Sequence, residues 1–189
     1  MRKYILILIL LVPASNLAQS IYPKHQAGLG FSLISGGIIS YQIEFDTKYA
    51  LKTNGLVYYK DFTENEFELY ANIGTELQYN IYKQSDFRIY GLIGTSFWYL
   101  QYNFTSDTTI NDVRYQNKLV RDKKLLNLGI GSGLEYKLHQ SVALSFDCGI
   151  FLQNNLYSTG NFEKFIDKAQ NEQSQIGLSI GIGIRYIFY

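Results

Sequence analysis

Ile176-Gly177-Leu178-Ser179-Ile180-Gly181-Ile182-Gly183-Ile184-Arg185-Tyr186-Ile187-Phe188-Tyr189 alternates without a break. The even positions are Ile176, Leu178, Ile180, Ile182, Ile184, Tyr186 and Phe188, all apolar or aromatic. The odd positions are mostly small or polar: Gly177, Ser179, Gly181, Gly183 and Arg185 lead up to Ile187 and Tyr189. A period of two is that of a β-strand, whose successive side chains point to opposite faces. This segment therefore has one apolar face and one made largely of glycine and polar groups.

The same alternation recurs upstream. Leu126, Leu128, Ile130, Leu134, Tyr136 and Leu138 oppose Asn127, Gly129, Gly131, Gly133, Glu135 and Lys137. Phe67, Leu69, Ile73, Leu77 and Tyr79 oppose Glu68, Tyr70, Asn72, Gly74, Glu76 and Gln78. Val142 to Leu152, Leu29 to Leu33 and Ile39 to Phe45 repeat the pattern. Residues 49–59 are mixed, with Lys52 and Asn54 opposite Leu51 and Val57. In 87–102 both faces carry large apolar groups, so its register stays open. Eight strands are expected, near 27–35, 38–46, 49–60, 66–80, 87–102, 124–138, 142–152 and 174–189. No long helical pattern interrupts them, so neighbours should pair as an antiparallel meander.

The faces decide between two kinds of barrel. A soluble barrel turns its apolar face inward, whereas an outer-membrane barrel turns it toward lipid and keeps a polar interior. The soluble arrangement would expose Gly129, Gly131, Gly133, Gly177, Gly181 and Gly183 to water, where glycine only weakens a strand. Lining a narrow lumen, the same glycines make room for larger neighbours. The expected fold is all-β: an eight-stranded antiparallel up-and-down transmembrane β-barrel. Ile176, Leu178, Ile180, Ile182, Ile184, Tyr186 and Phe188 are its lipid-facing residues.

Connection lengths agree with this choice. With the N-terminus in the periplasm, the outward connections are Gly36-Gly37, 61–65, 103–123 and 153–173, against inward turns at 47–48, 81–86 and 139–141. Long external loops and short periplasmic turns are the asymmetry of such barrels. Tyr41, Tyr79, Tyr82, Trp98, Tyr102, Tyr136 and Tyr186 lie near strand ends and suit interfacial girdles.

The N-terminus reads as an address. Arg2 and Lys3 precede a nine-residue apolar run, Tyr4 to Val12, and then Pro13-Ala14-Ser15-Asn16-Leu17-Ala18. That is the form of a secretory signal peptide over 1–18, cut before Gln19, and too short for a spanning helix. The expected mature domain is 19–189, in the outer membrane of a Gram-negative bacterium. Removing Arg2 and Lys3 leaves 15 basic residues against 16 acidic ones, so no global basic field exists for nucleic acid. With 17 Tyr, 12 Phe and only 17% charged residues the chain is not disordered, and a single Cys148 excludes a disulfide scaffold.

The closing Arg185-Tyr186-Ile187-Phe188-Tyr189 resembles the C-terminal assembly signal of bacterial outer-membrane proteins, carried by Tyr186, Phe188 and Tyr189. With strings such as Tyr90-Gly91-Leu92-Ile93-Gly94 and Gly131-Ser132-Gly133-Leu134-Glu135-Tyr136, the chain resembles the small eight-stranded barrels of the OmpA/OmpX type, a broad family that includes PorT-like proteins. The resemblance implies a structural role or a role in protein secretion, and the barrel-assembly machinery as a partner.

The lumen should hold Glu44, Lys52, Glu68, Glu76, Glu135, Lys137, Asp147 and Arg185 as a hydrogen-bonded ion-pair network. Polar filling of a small bore explains such residues better than a proton or cation path. Catalysis is poorly served. The two histidines are His25, expected before the first strand, and His139, expected in a turn beside Ser141, and neither can be joined to a serine and a carboxylate. No cofactor and no metal site are expected, and one cysteine makes no zinc site. Cys148 reads as a small lipid-facing residue.

Binding signals lie in the external connections. Segment 103–124 carries Asp107, Asp112, Arg114, Lys118, Arg121, Asp122, Lys123 and Lys124, a balance of +2 that suits lipopolysaccharide phosphates. In 161–169, Phe162, Phe165 and Ile166 follow helical spacing after Asn161 and suit a surface or partner contact. The expected function is thus a non-enzymatic outer-membrane barrel acting structurally or through loops 103–123 and 153–173. Its surroundings would be outer-membrane lipid and lipopolysaccharide, with a surface or secretion-system protein as a further partner and no nucleic acid. The alternatives are a lipid-modifying enzyme, a lipocalin-like periplasmic carrier, and an accessory barrel of a secretion machine.

Overall fold

Eight strands pair in chain order and close on themselves in the computed structural model of the chain. It describes residues 24–45, 47–63, 66–110, 113–159 and 174–188. The signal segment 1–18, the helical reading of 161–169 with Phe162, Phe165 and Ile166, and Tyr189 lie outside those residues. The strands are β1 (Lys24–Ser32), β2 (Gly36–Glu44), β3 (Tyr49–Thr63), β4 (Glu66–Lys83), β5 (Phe87–Ile110), β6 (Val113–His139), β7 (Val142–Thr159) and β8 (Ser174–Phe188). Each pairs antiparallel with the next, and β1 meets β8 from His25↔Phe188 to Phe31↔Ile182. Closure leaves no free edge around the ring, the condition for burying a sheet in lipid.

Alternation sets the faces. Along β8 the even residues Ile176 to Phe188 are exposed on the outside, while Ser179, Gly181, Gly183, Arg185 and Ile187 are buried. The open register of 87–102 resolves with Arg88, Tyr90, Leu92 and Ser96 inward and Ile89, Ile93 and Phe97 outward. Both faces look apolar there because Tyr90 and Leu92 pack in the bore against Ile34 and Phe151.

The two ends of the barrel differ. At the turn end, short connections at 45–48, 84–86 and 140–141 join the strands. At the other end, 103–123 is not a loop but the far part of a continuous hairpin, paired from Phe87↔Tyr136 to Ile110↔Val113. β4 stops pairing with β5 at Asn103, and β7 stops pairing with β6 at Asp122. Beyond those points, among the described residues, β5 and β6 pair only with each other, as a two-stranded ribbon. Strands of 24 and 27 residues far exceed the ~9–11 needed to cross a bilayer. The ribbon beyond Asn103, residues 104–110 on β5, extends roughly 20 Å at ~3.3 Å per residue. Likewise, 153–159 continues β7 rather than opening a loop.

The first outer connection is also not a simple Gly-Gly turn. Leu33, Ile34 and Ser35 form the turn, and Gly36 and Gly37 begin β2. Gly36 has φ +72, a left-handed conformation that glycine adopts without strain.

Candidate functional site: a plugged polar bore

The β1–β2 turn folds into the barrel. Ile34 is 1% exposed and sits in a cradle of glycines. A Cβ built on Gly94, Gly129 or Gly149 would come within 2.7–3.0 Å of the Ile34 side chain. Polar groups from the walls hold the turn in place. Asn127 Nδ2 donates to the Leu33 carbonyl at 2.9 Å, and Asn54 Nδ2 donates to Ser35 Oγ at 2.6 Å. The Ser35 hydroxyl donates to Glu76, and Gly37 N donates to Asn72 Oδ1 at 3.1 Å. Phe31, on the outward parity of β1, meets Trp98 of β5 edge-on at 6.3 Å. These strands lie on opposite walls of the ring, so contact requires the hairpin tip to lean across the bore. Trp98 therefore points inward, also touching Tyr70 and donating to Ser96 Oγ at 2.8 Å, and is not part of a lipid girdle.

Toward the turn end lies a belt of ion pairs. Glu135 Oε2 accepts from Arg88 Nη2 at 2.9 Å and from Arg185 Nη2 at 2.7 Å. Gln26 Nε2 donates to Glu135 Oε1 at 3.2 Å and to Glu44 Oε1 at 3.0 Å, and Gln26 Oε1 accepts from Arg185 Nε at 2.9 Å. Arg88 also donates to Gln78 and Asn80. Gln78 passes the chain to Glu76, which pairs with Lys52 at 2.9 Å. Lys52 spans the bore to Asp147 at 3.8 Å. Plug and belt are linked through Glu76, so the polar interior is one connected structure. Its charges are desolvated but paired, the arrangement that low-dielectric burial demands.

Of the residues expected in the lumen, Glu44, Lys52, Glu76, Glu135, Asp147 and Arg185 lie in this connected bore. Glu68 does not: it is half-buried toward the ribbon end, opposite Tyr102 in the β4–β5 ladder. Lys137 does not join the belt either, because its amine reaches the Ser85 carbonyl at the turn-end rim. Arg88 was not legible as a member while the register of β5 stayed open. Gln26, Gln78 and Asn54 gave no charge signal to follow.

The histidines stay apart. His25 lies within β1 rather than before it, with Nδ1 2.8 Å from Tyr41 OH and its ring stacked on Phe188. His139 ends β6, its Nδ1 3.5 Å from the Ser141 backbone N. Among the described residues no group of three His, Cys, Asp or Glu side chains is placed to hold a metal.

Outside, the polarity reverses. Leu29, Ile73, Leu77, Ile93, Ile130, Phe146, Ile150, Leu178 and Ile180 stand exposed around the wall, and Cys148 stands among them. Phe45, Tyr49, Tyr79, Tyr82, Tyr136, Tyr186 and Phe188 ring the turn end. The barrel is inside out. An apolar band with an aromatic girdle around a polar interior is the surface of a membrane-spanning β-barrel.

Three solved structures are similar at low identity. Ail, the attachment invasion locus protein of Yersinia pestis, is 13% identical, with 88% of this chain and 97% of that one covered and a TM-score of 0.43. A major outer membrane protein from Thermus thermophilus is 13% identical over 89% of this chain and 100% of that one, with a TM-score of 0.47. CarO2 of Acinetobacter baumannii is 10% identical over 90% and 100% respectively, with a TM-score of 0.42. No family model matches the chain, and no curated protein matches it.

Proposed function

We propose that this chain is a sealed, non-enzymatic outer-membrane barrel whose work is done by the β5–β6 ribbon, presented outside the cell to a protein partner. The observation that carries the reading is the length of β5 and β6 beyond their neighbours. An eight-stranded bore is already nearly filled by side chains, and here the β1–β2 turn occupies it too. The lumen is therefore support for the strands that hold the ribbon. Among the described residues no third strand pairs with either edge of the ribbon, and the N–H and C=O groups of such an edge suit a partner that adds an extended strand.

The test begins with heat-modifiable gel mobility in the outer-membrane fraction, which reports a closed barrel. A variant lacking 104–120, with a short turn joining Asn103 to Arg121, should keep the mobility shift. A photo-crosslinking side chain at Thr108 should capture a protein in intact cells, and Pro placed on both ribbon strands should abolish the adduct. Absence of any adduct from the parent chain would remove the ribbon from this role. Recovery of the protein in the periplasmic extract without a shift would remove the membrane reading itself.

A further inference from the structure

We infer that the upper bore binds the hydrocarbon chain of an outer-leaflet lipid, which enters sideways through a notch in the wall between β3 and β8. The ladders place the notch. β1 pairs with β8 only as far as Phe31↔Ile182, and β2 pairs with β3 only as far as Ile39↔Gly55. Yet β3 continues to Thr63, and β8 begins at Ser174. Among the described residues, β3 beyond Gly55 and β8 before Ile182 therefore have a strand on one side only, β4 and β7 respectively. All eight strands stand side by side only up to the height of the plug, because the β1–β2 turn leans into the bore. Exposure along β8 records the gap. Ile176 and Leu178 are 81% and 78% exposed, against 48% at Ile184, where β1 runs alongside. The notch thus opens within the apolar band, beside residues already turned to lipid.

Behind the notch the bore is apolar, unlike its ion-paired lower part. The rung Asn54, Gly74, Ser96, Asn127 and Gln153 is polar or glycine, and Asn54 and Asn127 hold the plug. The next inward rung reads Leu56, Asn72, Trp98 and Leu125, and the one above it Tyr58, Tyr70 and Leu100. Asn72 is spent on Gly37 N and the Tyr70 hydroxyl. Tyr58 stays 37% exposed although its parity is inward, so the described side chains leave it uncovered. On the notch side, β8 turns only Gly177 and Ser179 inward at this level. A hydrocarbon chain moving from the bilayer onto this wall exchanges one apolar contact for another. The ester and hydroxyl groups of the same lipid meet the N–H and C=O groups of the two free edges, which need partners at membrane depth. The inference rests on the membrane reading and is independent of the ribbon. The plug beneath still seals the bore.

Trp98 is the sole tryptophan of the chain and stands in this chamber, so its fluorescence reports the occupant. The full barrel is reconstituted in phosphatidylcholine vesicles in which lipid brominated at mid-chain replaces the ordinary lipid in steps. Bromine quenches indole only at close range. Trp98 fluorescence should fall in direct proportion to the brominated fraction, as a single bound chain requires. Leu56→Lys and, separately, Leu100→Lys place a charge in the chamber; each should keep the gel-mobility shift and lose the quenching. A steeper than proportional fall in the parent, or quenching that persists in a folded variant, would mean that bromine is sensed through the wall from surrounding lipid. No quenching in the parent would mean that protein fills the notch. Any of these results overturns the inference while the mobility shift still reports on the barrel.

Discussion

Glu135 is the residue on which the interior turns, because three strands reach it at once. Its carboxylate accepts from Arg88 and Arg185 while Gln26 supplies a neutral donor. Replacing one member of a buried set strands the others, a loss of about 3–5 kcal/mol. Glu135→Ala should therefore lower the urea midpoint of the gel-mobility transition strongly. Arg185→Met should cost less, because Glu135 keeps Arg88; a midpoint unchanged in Arg185→Met would mean that Arg185 pairs with nothing important. At the other end of the network, Ile34→Ala empties a glycine-lined seat and should cost about 2–5 kcal/mol. Gly129→Val is expected to be harmful from the opposite side, by about 1–3 kcal/mol, since the new side chain meets Ile34. Midpoints equal to the parent's in both variants would show that the turn is not seated in the bore.

Among the elements, the alternation of residues 126–138 and 176–188 was readable because each residue has a membrane on one side and a filled bore on the other. Where either condition fails, the period disappears. β5 lost its register signal at Tyr90 and Leu92, which are apolar yet inward because the plug gives them an apolar partner in Ile34. The ribbon gave no signal at all, since strands that leave the bilayer have no lipid face to alternate with. The turn at 33–35 looked like an ordinary hairpin tip, and nothing local to Leu33-Ile34-Ser35 says that Asn54, Asn72 and Asn127 wait to receive it. Glu68 and Lys137 had the parity of bore residues, but parity fixes a face and not a height along the axis. The plug makes its own prediction. The parent barrel should give no steady conductance in planar bilayers, whereas the triple variant Asn54→Ala/Asn72→Ala/Asn127→Ala, which frees the turn, should flicker open. A parent barrel that conducts steadily would mean the turn does not seal the bore.

For the whole molecule, the decisive contrast is between a polar inside and an apolar outside, and Cys148 offers a direct reading of it. As the single cysteine it lies on the outer wall, opposite Ser132 on β6 and Ile180 on β8. In lipid vesicles a charged maleimide should leave it unlabelled, and boiling in detergent should make it reactive. Rapid labelling in intact vesicles would place that face in water and return the soluble carrier to consideration. The interior has a counterpart test. The hydroxyls of Ser40, Tyr90 and Ser145 and both amide atoms of Gln42 are buried without a protein partner among the described residues. Groups of this kind are bridged by trapped water, so a high-resolution crystal structure should show ordered water against Gln42. A dry contact there would contradict this.

The clasp on Glu135 also has a meaning in time. Gln26 and Arg185 stand 159 positions apart, and Glu135 is 109 positions from Gln26, so the three converge only when the first strand meets the last. Until β8 arrives, Glu135 holds Arg88 alone and Gln26 lacks the guanidinium that bridges the seam. A barrel still open at the seam thus carries an unfinished electrostatic knot near its turn end, tied by β8, the last of the eight described strands. Completion of the ring and the docking of Arg185 on Glu135 and Gln26 are the same event.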